Sequence, residues 1–441
     1  MNIIQRSAAS AAMAILLGGC GAIQSAQPPP LLSSGQTTEL QAEPGYQPGL
    51  PLPPGPIAIG SLQMMTPLHG WALGPPGKGK TGSFYAVLAT VDGGTHWRNA
   101  TPPQIVGFVD KAVFFLDLQH AWVAVTPHIV GHPAPTTLTV FRTGDGAASW
   151  QGTTFRVPDG APSQLDFVDA LRGWMVLQID QGYAIYRTSD GGLTWQLATS
   201  LPYRRNPGQV ATGGLPLDYG LGLGAAGCSI DPNNLVSFRD ASVGWATGGC
   251  AKSSPYFFRT DDAGRSWRLQ ALPGESAHSS ACQCDVWTSP PLFSSPADGT
   301  FTVTESATTC WGDAQGDQNC AEHLTRAFVY VTHDGGSTWT PRALPEAGVL
   351  ARPPVFINAG SGWFVVYKGA SLFPTADRLY VTNDWGLTWT PMAVSAQVGT
   401  LDFVSDLVGW GFNIFGQSSP TLFATEDGGR TWQALNTQLV N

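Results

Sequence analysis

The chain has 441 residues, of which 12% are charged, and its formal net charge is -9. A charged share about half the usual one, combined with 53 glycines and 35 prolines, argues against a helical bundle and suits an all-β protein with many turns. The Lys and Arg residues form no cluster, which argues against a nucleic-acid partner because phosphate binding needs a basic surface.

The first residues predict export and attachment to lipid. Residues 1–19 combine a short basic start with an apolar stretch from Ala8 to Leu17 that is too short to span a bilayer. The stretch ends in Leu17-Gly18-Gly19-Cys20, which is similar to the bacterial lipobox. That resemblance implies cleavage before Cys20, acylation of its thiol and a place on the extracytoplasmic face of a bacterial membrane. A plain secretory signal is the alternative.

Residues 20–56 form a predicted tether between the lipid and the folded part. The segment after Cys20 contains nine prolines and shows no apolar periodicity. Such a composition is typical of an extended and semi-rigid chain.

From Ile57 onward, one eight-residue pattern occurs seven times. Each copy begins with Thr, has Asp at the third position and has Trp five residues after the Asp. The seven aspartates are Asp92, Asp145, Asp190, Asp262, Asp334, Asp384 and Asp427. A Gly-Trp or Ala-Trp pair precedes six of the seven copies, whereas the fifth unit has Gly299-Thr300 in its place. Because short strand patterns flank both features, each unit reads as four strands, A to D. Residues 57–441 are therefore predicted to form a seven-bladed β-propeller with four antiparallel strands per blade.

The repeated box has a structural interpretation. Its Asp can accept backbone amides within the turn between strands C and D, and its glycine supplies a residue with positive φ. Its Trp can bury a large ring between neighbouring sheets. The second box has Ala147 where the others have this glycine, so we expect its turn to be strained or reshaped.

These boxes resemble the Asp-box, or BNR, repeat, which has the pattern S/T-x-D-x-G-x-T/S-W. The repeat occurs in sialidases, xyloglucan-active glycoside hydrolases, sortilin-type receptors and the photosystem II stability/assembly factor family. Seven boxes in one ring, nearly all preceded by Gly-Trp, are most similar to the last family. The resemblance implies a non-catalytic, monomeric binding or assembly scaffold that uses no cofactor and recognises a protein or an envelope glycan.

Six cysteines follow Cys20, and an even number in an exported chain predicts three disulfides. They are Cys228, Cys250, Cys282, Cys284, Cys310 and Cys320. We favour Cys228–Cys250 and Cys310–Cys320. The remaining Cys282–Cys284 pair would be strained, so cross-pairing with the Cys310 and Cys320 loop stays open. A zinc site is less favoured because the spacings do not match one.

Long connections are expected on only one face of the ring. The box turns and the A–B turns share one face, here called the box face, and the D–A and B–C connections share the other, here called the loop face. The longest connections lie around units four and five, and variable loops on a rigid scaffold commonly carry function. The predicted recognition residues are Tyr203, Arg204, Arg205, His278, Trp287, Trp311 and His323. The alternative is that these loops cap the ring and both tryptophans pack inward.

A glycoside hydrolase or a carbohydrate-binding propeller is the competing functional class. Its candidate carboxylates are Asp218, Asp285, Glu305 and Glu322, but none lies in a recognisable motif. The letters of a phosphate-binding loop occur from Gly74 to Thr81, but that loop runs into a strand and not into a helix. We therefore expect no catalytic residues, no metal and no cofactor.

Overall fold

The computed structural model describes most of the chain beyond residue 51. The described residues are 36–40, 52–74, 86–103, 109–127, 136–157, 160–179, 182–202, 228–231, 234–251, 255–274, 285–312, 318–345, 349–350, 354–357, 360–368, 375–394, 398–412 and 421–440. All of them belong to the second of two compact units, Leu31–Asn441. Their regular structure consists of strands, and none of them forms a helix long and apolar enough to cross a membrane.

The first three units have four consecutive strands each. Unit 1 contains β3 (Ser61–Met64), β4 (Gly70–Leu73), β5 (Val87–Thr90) and β6 (His96–Asn99); unit 2 contains β7 (Val109–Phe115), β8 (Ala121–Pro127), β9 (Thr136–Thr143) and β10 (Trp150–Val157); unit 3 contains β11 (Ala161–Phe167), β12 (Gly173–Ile179), β13 (Gly182–Thr188) and β14 (Gln196–Pro202). Within each unit the strands pair antiparallel in chain order.

Units 4 to 6 each carry one additional short strand. Unit 4 contains β15 (Cys228–Ser229), β16 (Val236–Phe238), β17 (Gly244–Ala251), β18 (Tyr256–Thr260) and β19 (Arg268–Leu269); unit 5 contains β20 (Asp285–Thr288), β21 (Leu292–Phe293), β22 (Gly299–Gly312), β23 (Gln318–Thr332) and β24 (Thr340–Ala343); unit 6 contains β25 (Val349–Leu350), β26 (Val355–Phe356), β27 (Ser361–Lys368), β28 (Thr375–Asn383) and β29 (Thr390–Ala393). Unit 7 returns to four strands, β30 (Thr400–Phe403), β31 (Gly409–Phe412), β32 (Leu422–Thr425) and β33 (Gln433–Ala434).

Each unit packs face to face on the next through its own hydrophobic cluster. A further cluster joins unit 7 to unit 1, where Trp410 and Phe412 pack with Trp97. These interfaces bury the two faces of each sheet, which alone would stay wet. The prediction of an all-β fold built from four-stranded antiparallel sheets is confirmed, and the interfaces are consistent with the predicted ring of seven blades.

The two ends of the folded part meet on unit 1. The last strand, β34 (Gln438–Val440), pairs in parallel with β6, the outer strand of that unit. Strand β2 (Gly55–Pro56) then pairs antiparallel with β34. It is therefore the C-terminal segment that joins unit 1 directly. Strand β1 (Gln36–Leu40), from the predicted tether, pairs with the outer strand β10 of unit 2.

The third box shows how the repeated Thr, Asp and Gly residues close the turn. The hydroxyl of Thr188 donates to Asp190 Oδ1 at 2.8 Å and accepts the amide of Gly192 at 2.9 Å. Asp190 Oδ1 also accepts the amide of Thr194 at 2.9 Å. The other six boxes repeat this arrangement. The interpretation of the box as a turn staple agrees with this geometry.

The box carboxylates are held ionised by the same bonds. Burial alone would raise the pKa of Asp334, but hydrogen bonds from Thr338 and Thr332 outweigh it and lower that pKa to about 2. The pKa values of the other six box aspartates are lowered in the same way. A proton acceptor with so low a pKa is a poor general base near neutral pH.

Ala147 in the second box keeps the turn of the other boxes. Its φ is 64°, and its amide donates to Thr143 Oγ1 at 2.9 Å, as the glycine amides do elsewhere. Of the two expected outcomes, a strained or a reshaped turn, the structure shows the first. The alanine adopts the left-handed conformation at the cost of backbone strain.

The Gly-Trp or Ala-Trp pair joins one blade to the next, and Ala121-Trp122 of unit 2 is an example. The ring of Trp122 in unit 2 stacks on Phe167 in unit 3 with centroids 3.8 Å apart, and Phe167 also lies edge-on to Trp195 of its own box. The indole Nε1 of Trp122 donates to the carbonyl of Gly191 in the third box at 2.9 Å. A Cβ on Gly173 would lie 2.3 Å from the ring of Phe167, so the glycine leaves room for this ring.

Unit 5 departs from the pattern, and unit 6 compensates. Thr300, which is 5% exposed, stands where the other units have the stacking tryptophan. The ring that stacks on Phe356 of unit 6 is instead Trp385 from the sixth box, with centroids 6.1 Å apart and planes at 17°. Trp385 has a φ of 60°, a strained conformation for a bulky residue. We interpret this strain as the cost of supplying the stacking ring from unit 6 itself and not from unit 5.

This interpretation predicts coupling between Thr300 and Trp385. Trp385→Gly should destabilise the protein because Phe356 loses its stacking partner, and Thr300→Trp alone should destabilise it by overpacking. The double variant should recover the arrangement of the other units, with a coupling energy of about 1 kcal/mol or more in its favour. Urea unfolding of the four proteins measures this coupling. Strictly additive effects of the two substitutions would contradict it.

Candidate functional site

The A–B turns lie against the boxes throughout the ring. The amide of Gly191 donates to the carbonyl of Leu171 at 2.8 Å, and Gly93 donates to Leu68 at the same distance. Corresponding bonds occur in the other five units. These bonds agree with the predicted box face and leave the D–A and B–C connections for the loop face.

On the loop face, units 4 and 5 continue as β-structure. Strand β17 pairs with β20 through Gly249 and Trp287, which joins the two sheets into one. Strands β22 and β23 form a long hairpin, interrupted by a bulge between Glu305 and Ser306. The part from Ser306 to Gly312, here called the hairpin arm together with its partner strand, extends the hairpin by roughly 20 Å at the usual rise per residue. Within the described residues, the long B–C connection of unit 5 is therefore largely a regular strand pair.

The strand registers place four of the six cysteines in two opposed pairs. Cys228 lies opposite Cys250, and Cys310 lies opposite Cys320 in the hairpin arm. Directly opposed residues in antiparallel strands have the Cα separation that a disulfide needs. Cys250 is disulfide-bonded. The register thus suits both favoured pairings, which stay predictions, and Cys282 and Cys284 lie outside the described residues.

Of the seven predicted recognition residues, the structure describes the side chain of one. Trp287 is half-buried on β20, and its ring lies over Gly249, where a Cβ would come within 2.4 Å of it. Trp311 and His323 are opposite Asn319 and Ala307 in the hairpin arm, but their side chains are outside the described part. Four of the predicted residues lie entirely outside the described residues: Tyr203, Arg204, Arg205 and His278. Their predicted role stays a prediction.

A cavity of about 720 Å³ lies along the inner strands of units 2 to 5, beside Trp287. The apolar residues that line it include Phe114, Leu165, Val236, Trp287 and Leu292. The polar residues that line it include Ser163, Gln164, Asp166, Asp231, Asn234, Ser237, Thr247, Thr288, Ser289, Thr302 and Thr304. The volume is within the range of ordinary ligand sites.

Several of these polar side chains tie the inner strands together. Gln164 Oε1 accepts the amides of Leu235 and Val236 at 2.9 and 3.0 Å. Its Nε2 donates to the carbonyl of Val236 at 2.6 Å, and Ser237 donates to the carbonyl of Pro291 at 2.6 Å. These bonds cross from unit 3 to unit 4 and from unit 4 to unit 5, so the cavity wall is braced on both sides.

Asp166 contributes a carboxyl of unusual acidity to this wall. Its Oδ2 accepts the amide of Phe238 in unit 4 at 2.7 Å, and burial raises its pKa to about 7. Asp402 makes the same bond at the same position of unit 7, where its Oδ2 accepts the amide of Met64 at 2.6 Å. Burial raises the pKa of Asp402 to about 7 as well. The two carboxyls are inter-blade latches, and only Asp166 lines the cavity.

Sequence reasoning did not single out these two aspartates. The signal was present, because the triplets Leu165-Asp166-Phe167 and Leu401-Asp402-Phe403 repeat a charged residue between two apolar ones in an inner strand. A carboxyl at the centre of a buried strand is rare unless it has a partner.

Of the four carboxylates proposed for a hydrolase, Asp285 and Glu305 are absent from the described lining of the cavity. Asp218 and the side chain of Glu322 lie outside the described part of the chain. Glu305 is 0% exposed and lies 3.6 Å from Arg326 Nε. Among the described residues, no group of three potential ligands is placed to hold a metal ion.

No model of a protein family matches this chain, and no curated protein sequence matches it. Among solved structures, it is similar to YCF48 from Cyanidioschyzon merolae, with 15% identity over 75% of this chain and 86% of that chain and a TM-score of 0.40. It is also similar to YCF48 bound to D1 peptide, with 16% identity over 92% and 87% of the two chains and a TM-score of 0.35. A xyloglucanase from Xanthomonas campestris shows 15% identity over 75% of this chain and 45% of its own, with a TM-score of 0.39.

These solved structures include a protein bound to a peptide and a xyloglucanase. Identities of 16% or less and TM-scores of 0.40 or less carry no information about ligand or activity for this chain. The finer resemblance to the photosystem II assembly factor family stays a prediction.

The two latches predict a stability effect that depends on pH. The folded pKa of about 7 lies above the unfolded value near 3.9, so the stability that the bound proton contributes is present below pH 4 and is lost as the pH rises through 7. Asp166→Asn and Asp402→Asn keep an amide oxygen to accept the inter-blade bond and do not titrate. Each variant should match the parent protein near pH 4 and exceed its stability at pH 8, by at most about 4 kcal/mol.

Urea unfolding at pH 4.5 and pH 8 measures this difference. Asp190→Asn in a box is the contrasting control, because the pKa of that aspartate is lowered. A stability difference between Asp402→Asn and the parent that does not change with pH would refute the assignment.

Proposed function

We propose that this protein is a lipid-anchored, extracytoplasmic binding scaffold that captures a protein partner on its loop face. The observation that carries the proposal is the cavity beside Trp287, at the place where the sheets of units 4 and 5 merge. The hairpin arm starts at the same place, so a concave site and a projecting strand pair lie side by side. Rigid scaffolds that present such features on one face are typical of binding proteins.

The apolar residues of the cavity wall suit the binding of a protein partner. Trp287 is half-buried and supported from below by Gly249, so little side-chain entropy is lost when a partner covers it. Leu292, which is 64% exposed, lines the same cavity from β21, next to the A–B turn of unit 5. An aromatic residue in the wall of a braced cavity is the kind of residue on which interfaces depend.

A glycoside hydrolase is the second candidate, and the raised pKa of Asp166 is the observation in its favour. General acids of glycosidases have raised pKa values. However, Asp402 has the same raised pKa from the same inter-blade bond, and it is not part of the cavity lining. Because one structural cause explains both residues, the acidity of Asp166 does not require catalysis, and we favour the binding scaffold.

Crosslinking in the native envelope tests the partner proposal. We expect one predominant crosslinked protein with the parent chain, and a loss of at least tenfold in its yield with Trp287→Ala. Leu171→Ala is the matched control, because Leu171 is a 58% exposed residue of the box face. The melting temperatures of both variants establish that they are folded. Equal yields from parent, variant and control would contradict the proposed surface.

The anchor is tested separately through Cys20. The parent protein should fractionate with membranes, and the mass of its N-terminal peptide should include the acyl chains. Cys20→Ser should release the protein into the soluble extracytoplasmic fraction, because the remaining chain offers no acylation site at the lipobox. A parent protein that is soluble and unacylated would show that the signal is an ordinary secretory one.

A further inference from the structure

We propose that the cavity of units 2 to 5 receives a positively charged side chain, Lys or Arg, presented by an extended segment of the partner protein. This inference rests on the proposed function and adds the chemistry of the segment that is recognised. It follows from the carboxyls in the cavity wall, from the acceptor atom Oδ1 of Asp166 and from the apolar residues that line the same cavity.

Among the described lining residues the charged groups are the carboxyls of Asp166 and Asp231, and no Lys or Arg is among them. These carboxyls favour a cation over an anion such as a phosphate or a sugar acid. Coulomb attraction to Asp166 is stronger in a site partly shielded from solvent than in water.

Asp166 has an oxygen available for such a ligand. Its Oδ2 is used by the amide of Phe238, and within the described residues no hydrogen bond involves its Oδ1. The carboxyl is deeply desolvated, and yet it belongs to the cavity surface. A cation that binds there would replace the proton that the empty site favours. Binding of a cation thus favours the ionised form of this buried carboxyl.

The rest of the cavity suits the stem of a long basic side chain. Phe114, Leu292 and Trp287 supply apolar surface on which methylene groups can pack. The face of the Trp287 ring can add a cation–π contribution. A purely polar ligand would leave the exposed Leu292 uncovered.

Other charged groups lie on the strands around the cavity and bear on the pH dependence of binding. Lys111 lies on the same strand as Phe114, outside the cavity lining, and burial lowers its pKa to about 8. Glu305 follows Thr304 on β22 and lies by Arg326. Asp231 is within 2.9 Å of Asn234 Nδ2. Of these groups only Asp166 and Asp231 line the cavity, so ionisation of Asp166 dominates the pH dependence of cation binding.

The test is a binding titration of the full chain with capped tripeptides. The probes are acetyl-Ala-Lys-Ala-amide and acetyl-Ala-Arg-Ala-amide. The control peptides have norleucine or glutamate in place of the basic residue. Calorimetry measures the binding at pH 8 and at pH 5.5. At pH 8 we expect the basic peptides to bind at least tenfold more tightly than the norleucine peptide and the glutamate peptide not to bind. At pH 5.5 the advantage of the basic peptides should shrink at least threefold.

Variants of the two latches separate binding from stability. Asp166→Asn should weaken binding of the lysine peptide at least tenfold, and Asp231→Asn should weaken it to a smaller extent. Asp402→Asn, which alters an equivalent latch away from the cavity, should leave binding unchanged. Equal binding by the lysine and norleucine peptides, or unchanged binding by Asp166→Asn, overturns the inference.

The outcome is distinguishable from failure of the proposed function. If the crosslinked partner is still lost with Trp287→Ala but the basic peptides do not bind, this inference is wrong and the scaffold proposal stands. If Trp287→Ala has no effect on capture and no peptide binds, both are wrong.

Discussion

The structure depends on one repeated contact between blades. In this contact a phenylalanine of the inner strand lies between two tryptophans. The tryptophan of the Gly-Trp or Ala-Trp pair in the preceding unit stacks on it, and the tryptophan of its own box meets it edge-on. The arrangement is closest at Phe167, Phe238 and Phe403. Because the indole of the first tryptophan also donates to the next box, as Trp122 does to Gly191, the box fastens neighbouring blades as well as closing its own hairpin. A ring held in this way needs few charged residues, which agrees with the composition.

Where the contact is interrupted, the chain shows what it costs to restore it. Unit 5 has Thr300 in place of the stacking tryptophan, and Trp385 supplies a ring from a left-handed backbone position. Unit 5 is also the unit that carries the hairpin arm and merges with unit 4 through β20. The departure from the repeat and the elaboration of the loop face therefore occur in the same blade, next to the cavity.

The inner strands add a second set of contacts, made by polar residues. Gln164, Asp166, Ser237 and Asp402 each bond to the backbone of the next blade. Such residues hold adjacent blades in register along their inner strands. Asp166 serves this purpose and faces the cavity at once, which is why a structural latch and a candidate binding group are the same side chain.

The sequence by itself determined the class of fold and predicted the structural face, because both follow from a spacing of Asp and Trp that recurs in every unit. It also placed Trp287 among the recognition residues. Only the tertiary structure decided which residues meet in the cavity, since Phe114, Asp166, Asp231 and Trp287 come from four different units and no local pattern connects them. The acidity of Asp166 was equally beyond the sequence, because its pKa is set by burial between two blades and not by its neighbours along the chain.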